Sequence, residues 1–283
     1  MAAQANENGL DGLNEIELED AERRSSPKAA VVYEAIRREG EDELARDTAA
    51  LLWSGLAAGT SMGFSFLMEA LLAHHLPETK WTPLVSKFGY CIGFIIVILG
   101  RQQLFTENTL TPILQLLHRR NRFTLVHVGR LWGAVLSANL AGAVLFAALL
   151  HAMGYFRPEL RVELVPIGMK AYASSFPATL LSAVFAGWLI ALMVWLLPVA
   201  ETGRLTIIIL ITYVVGIGGF AHIIAGSVSA CYILMMGGAS FGSFLFRFFI
   251  PALLGNIIGG VAFVAALNHA QVSPERHARG SHP

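Results

Sequence analysis

The chain has 283 residues, 55% of them hydrophobic and 14% charged, with a mean hydropathy of +0.58. Soluble domains carry roughly 25% charged residues and disorder requires low hydrophobicity with high charge, so both are excluded and a polytopic membrane protein remains. The formal net charge of zero hides an acidic segment 1–47, with thirteen Asp/Glu against six Lys/Arg, ahead of a body 48–270 with six against twelve.

Residues 1–26 are polar and acidic, without a sustained apolar period. Ser26-Pro27 reads as an N-cap followed by proline at the first helical position. Lys28 to Asp47 is therefore expected to form a charged helix with Val32, Ile36 and Leu44 on one side, lying on the membrane surface or packed under the bundle. The charged stretch before Ala49 is too long for the n-region of a cleavable signal peptide. Six apolar stretches follow, at about 49–74, 85–118, 123–153, 172–199, 205–235 and 240–269. A span needs roughly 20 residues, so the second and fifth are too long for plain helices. Both are interrupted, by GRQQLFTENT at 100–109 and GIGGFAH at 216–222. The expected domains are an acidic tail with its amphipathic helix (1–47), a six-helix transport domain (48–270) and a C-terminal tail (271–283).

His118, Arg119, Arg120 and Arg122 make the loop after the second stretch the most basic in the chain. Placing it in the cytoplasm puts both termini there and leaves twelve Lys/Arg inside against five outside, in keeping with the positive-inside rule. The expected location is a cell inner membrane, crossed several times. An internal repeat adds to this. Asn139-Leu-Ala-Gly142 in the third stretch echoes Asn256-Ile-Ile-Gly259 in the sixth, and Phe105-Thr106-Glu107 interrupts the second as Phe220-Ala221-His222 interrupts the fifth. Two halves of three spans insert with opposite orientations, and paired interruptions in such halves point to a transport site near the midplane. On this register Glu107 corresponds to His222.

Ionisable groups at that depth are costly and usually functional, and histidine exchanges protons near neutral pH, so His222 is the first candidate. Glu107 either pairs with Arg101, stapling the broken helix, or faces the pathway and sets charge selectivity. Arg130 and Arg247 lie near span ends, where snorkelling is the default. Gly55, Gly59 and Gly63 mark helix packing in the first span. Cys91 and Cys231 lie inside apolar runs, so neither a disulfide scaffold nor a cysteine-rich metal site is available. No HExxH, Walker loop, dinucleotide fingerprint or nucleophile elbow is present. The chain is not read as an enzyme, and no cofactor, metal or nucleic-acid partner is expected.

Four segments resemble the formate/nitrite transporter family, and within it the YfdC-like branch. They are Leu104-Phe105-Thr106 in the broken second helix, Ala221-His222-Ile-Ile-Ala225-Gly226 in the fifth, Asn139-Leu-Ala-Gly142 in the third, and Pro251 to Gly260 in the sixth. The resemblance implies an all-α membrane protein of six transmembrane helices, with an aquaporin-like 3+3 inverted repeat and broken second and fifth helices. It implies a homopentamer in the bilayer, each protomer passing small monovalent anions or their weak acids. By motif position His222 is the central histidine, Thr106 the second-helix threonine, and Leu104, Phe105 and Val194 constriction residues. Proton transfer would neutralise the anion before it crosses. The chain also departs from the pattern. Glu107 replaces a small residue, Ala221 the acid beside the histidine, and Ser175 stands near the family's anion-attracting lysine, with Lys170 five residues upstream. One unit charge a few ångströms from a pore is worth several kcal/mol. Three readings therefore stand: a proton-assisted carrier of small weak acids, the same fold passing a small cation or weak base such as ammonium, and a non-conducting scaffold or sensor.

Overall fold

A computed structural model of the chain describes residue 17, residues 27–154 and residues 157–272. Ser26 of the expected N-cap lies outside the described residues. The first described helix, α1, runs Ala29–Ala45. Its apolar stripe of Val32, Tyr33, Ile36 and Leu44 is buried under the bundle rather than spread on a surface. Tyr33 Oη lies 2.7 Å from Nδ1 of His269 at the far end of the chain. Arg130 donates to the carbonyls of Leu44 at 2.7 Å and Arg46 at 3.1 Å. That guanidinium holds the last turn of α1, where a cation also favours the helix dipole, instead of snorkelling.

Among the described residues, five helices are long and apolar enough to cross a membrane: α2 (Thr48–His75), α3 (Thr82–Leu99), α5 (Arg122–Met153), α7 (Phe176–Val199) and α10 (Phe241–Val272). Between them lie α4 (Thr111–Arg119), α6 (Pro158–Ala173), α8 (Arg204–Ile217) and α9 (Ile223–Met235). Helices α3 and α4 are the two pieces of the broken second span, and α8 and α9 those of the fifth. The sequence reading placed no element at α6. Its stripe of Leu160, Leu164, Gly168 and Tyr172 at four-residue spacing faces the bundle, around a proline at 166. Arg247 donates to the Tyr172 carbonyl at 3.2 Å, closing the end of that helix. In α10, Phe244–Phe249 is wound as a π-helix just before Pro251, which has no N–H to offer a carbonyl one turn back.

The two halves repeat in detail. Helix α3 ends with Arg101 at φ 50° and a bond from Gln102 N to Val97 O of 2.9 Å; α8 ends with Gly219 at φ 61° and a bond from Phe220 N to Val215 O of 3.0 Å. Both are six-to-one helix stops with a left-handed residue, a conformation Gly219 adopts freely and Arg101 only at a cost. Asn139 Oδ1 accepts from Phe105 N at 2.9 Å, and its amide donates to Gly55 O at 2.7 Å and Gln103 O at 2.9 Å. Asn256 repeats this with Ile223 N at 2.8 Å, Ala183 O at 2.8 Å and Ala221 O at 2.9 Å. Helix contacts repeat as well: a Cβ on Gly59 would stand 2.0 Å from Asn139 O, and one on Gly187 2.3 Å from Asn256 O. These bonds correct the expected register. Phe105 corresponds to Ile223, so His222 is matched by Leu104 and not by Glu107.

Candidate functional site

Each break leaves backbone groups without helical partners at a depth where water is scarce, and such irregular backbone survives only where protein or a cavity satisfies it. Asn139 and Asn256, both fully buried, satisfy one break each. His222 then serves as N-cap of α9, its Nδ1 accepting from Ala225 N at 3.2 Å. An accepting Nδ1 leaves Nε2 as the N–H of a neutral imidazole. Nε2 lies 2.8 Å from Thr106 Oγ1 in the other half, so it donates to that hydroxyl. The two breaks thus meet through one hydrogen bond, between the two polar residues that motif position singled out, His222 and Thr106.

Around that bond the protein is closed. Leu104 and Thr106 are 0% exposed, and Phe105 and His222 1%. Phe94, which sequence reasoning passed over inside an unbroken apolar run, stands edge-on to the His222 ring with centroids 5.0 Å apart. Phe105 turns its ring against Trp132, at 5.7 Å. Two cavities approach this seam. One, of 650 Å³, lies beside α1 and is lined by Glu39, Glu43, Arg101, Gln103, Glu107 and Val194 among others. The other, of 140 Å³, comes from the α6 side and reaches His222 itself. Leu104, Phe105 and Thr106 line neither, while Gln103 and Glu107 on either side of them line the first. They are the partition.

The Arg101–Glu107 staple does not form. Arg101 instead pairs with Glu39 of α1 at 3.0 Å, and no ion pair to Glu107 occurs among the described residues. The left-handed backbone at Arg101 directs its side chain to α1, and Glu107 lines the cavity in company with Glu39 and Glu43. Glu43, outside the spans, accepts from Gln103 Nε2 at 3.2 Å and from Thr111 Oγ1. Burial pushes its carboxyl up to about 7, partly opposed by the Thr111 bond. Because the docked form is raised above the ordinary 4.5, docking of α1 is tightest below that value and weakens as pH rises through about 7. Amide-exchange protection of α1, corrected for intrinsic rates, should therefore fall between about pH 5 and about pH 8 and stay level in Glu43→Gln. Protection that is flat in the wild type would remove Glu43 as its cause.

The smaller cavity holds a pair the sequence reading missed. Lys87 Nζ donates to Glu69 Oε1 at 2.5 Å, with the two side chains 15% and 5% exposed. A carboxylate inside the first apolar stretch, near its end, was itself the signal. Lys170 lines the same cavity and leaves it one positive charge in excess.

Two inverted halves, broken helices meeting at a buried seam, and cavities on both sides of it define a multi-pass membrane channel or transporter. The sequence matches the formate/nitrite transporter family over residues 30–270, and the chain belongs to that family. It is a transport protein, not an enzyme. Inner membrane protein YfdC of Escherichia coli is 39% identical over 267 residues, covering 91% of this chain and 86% of that one. Formate channel BtFdhC of Bacillus thuringiensis is 26% identical over 243 residues, covering 84% and 92%. Among solved structures, a pentameric formate channel with formate bound superimposes with a TM-score of 0.69 at 20% identity, covering 80% of this chain and 98% of that one.

Proposed function

We propose that the chain passes a small weak acid, of the size of formate or nitrous acid, across a cell inner membrane in its neutral form. His222 handles the proton. The observation that carries this reading is the His222–Thr106 bond set in an otherwise apolar, fully buried seam between two cavities. A bare charge crossing such a seam loses its hydration without a partner, at a cost of several kcal/mol; the neutral acid does not. On this reading the anion gathers in the positively charged α6-side cavity, takes up a proton near His222, and crosses past Leu104 and Phe105. It loses the proton in the α1-side cavity. The basic 118–122 loop and α1 then face the cytoplasm. Five protomers assemble, as in the pentameric formate channel that shares the fold. Glu107, grouped with Glu39 and Glu43, favours a second reading in which a weak base such as ammonium is gathered on the α1 side.

The sign of a pH change separates the two. Proteoliposomes carrying a luminal pH dye are given a jump of sodium formate or ammonium chloride, with protein-free vesicles subtracted. Entry of a weak acid acidifies the lumen and entry of a weak base alkalinises it. Formate-driven acidification, faster at about pH 5.5 than at about pH 7.5 and retained in Glu107→Gln, is the expected result. Alkalinisation by ammonium with formate silent, abolished in Glu107→Gln, would establish the weak base instead. Silence to both from an intact oligomer would leave the scaffold.

A further inference from the structure

Thr179 presents a buried hydroxyl that none of the described residues uses. The residue is 4% exposed, sits in the first turn of α7, and lines the cavity that ends at His222. Its Oγ1 has no hydrogen-bond partner among the described residues. In a helix a threonine hydroxyl ordinarily bonds the carbonyl one turn back, as Thr60 does with Leu56 O at 2.8 Å and Thr212 with Ile208 O at 2.7 Å. Thr179 forgoes that bond. Buried polar groups in native proteins are nearly always satisfied, and an exception asks for an explanation such as a ligand. On the same wall Ser182, three residues on, is engaged: it accepts from Ala221 N at 3.1 Å.

Lys87 lines the same cavity with similar spare capacity. Its ammonium has three donors and one bond, to Glu69. Glu69 cancels its charge, so the excess positive charge of Lys170 attracts an anion, and the free N–H groups of Lys87 are there to bind it. The cavity, at 140 Å³, admits a molecule of only a few heavy atoms.

We propose that Thr179 and Lys87 form a docking subsite for a small carboxylate in the α6-side cavity, one step before His222. This rests on the weak-acid reading above and names where the permeant waits. The choice of a hydroxyl follows from what the permeant does there. A carboxylate needs donors, and the acid it becomes has an O–H to donate. A hydroxyl serves both states by rotating, whereas an ammonium can only donate and so cannot accept the acid's O–H. Lys170 attracts the charged form, Lys87 binds it, and Thr179 holds the permeant as it is protonated.

The test separates binding from transport. Thermal unfolding of the detergent-purified oligomer is followed with sodium formate and sodium acetate against sodium chloride at equal ionic strength. Wild type is expected to melt several degrees higher with the carboxylates. Thr179→Val removes the unused hydroxyl at nearly constant shape, so without ligand it should melt at or above the wild-type temperature. With ligand its carboxylate shift should be lost, and Thr179→Ser should restore it. In formate-jump assays Thr179→Val raises the half-saturating concentration about tenfold, the loss of one hydrogen bond to a charged group, with maximal rate little changed. The paired change Lys87→Gln with Glu69→Gln, which leaves no buried charge unmatched, weakens the shift as well. A wild type without a carboxylate-specific shift overturns the subsite. So does a Thr179→Val that melts lower without ligand, because the hydroxyl is then structural. A carboxylate shift with no formate flux would overturn the weak-acid reading and leave the subsite standing.

Discussion

Replacing Asn256 by alanine is expected to destroy the fold rather than tune it. The side chain satisfies Ile223 N and Ala221 O at the second break and ties them to Ala183 O of α7, at 2.8–2.9 Å, and is completely buried. No other partner for Ile223 N is present among the described residues, and Asn256 lines neither cavity. An orphaned buried polar group costs about 1–3 kcal/mol. Side-chain bonds between membrane helices average nearer 0.6 kcal/mol when the unfolded state can find other partners. Here two of the three groups, Ile223 N and Ala221 O, belong to the break and have no helical alternative, and they are lost together, so about 3 kcal/mol is the expected loss. Asn139→Ala should do the same to the first break. Gel filtration should show aggregation or dissociation, and surviving material should melt well below the wild type. An Asn256→Ala oligomer that elutes and melts like wild type would show that the break does not depend on this side chain.

The same asparagines show which parts of the protein were legible in the sequence. Both were visible as an echo between the third and sixth spans, because small residues and a lone amide in an apolar helix leave few readings. Six spans and two interruptions were legible for a similar reason: the bilayer fixes the length of an apolar stretch. The register between the halves was not. The likeness of FTE to FAH suggested one pairing, but the amide bonds of Asn139 and Asn256 and the left-handed residues Arg101 and Gly219 set another. Local likeness carries no information about which N–H a distant amide reaches. Arg101 and Glu107 looked like partners because they are six residues apart. Glu39, 62 residues earlier, takes the arginine because α1 packs beneath the break, and one sequence does not reveal that docking. Phe94 had no signal at all. Glu69 had one, a carboxylate in an apolar span, and its partner Lys87 was only one of the five cations counted outside.

Substituting asparagine for His222 removes the proton-handling group while keeping the cap. Asparagine at an N-cap accepts from the backbone N–H two or three residues on, as His222 Nδ1 accepts from Ala225 N. The start of α9 should therefore persist, and the variant should purify and melt close to wild type. A second donor also survives, since the amide N–H₂ still points toward the Thr106 side of the seam. What disappears is the imidazole, a side chain whose two ring nitrogens can take up and release a proton. If the neutral acid forms by proton transfer near this ring, formate-driven acidification should fall about 10²-fold or more, the usual contribution of a positioned acid or base. The residual flux should also lose its rise between about pH 7.5 and about pH 5.5 beyond that set by the permeant's own ionisation. Thr106→Val supplies the matching comparison. It removes the acceptor for Nε2–H without removing the imidazole, so it should slow flux less and leave a pH dependence that is shifted rather than absent. A His222→Asn protein with wild-type rate and pH profile would mean that acid formed in bulk water simply diffuses through the seam. His222 would then be a helix cap that also closes the gap between the two halves.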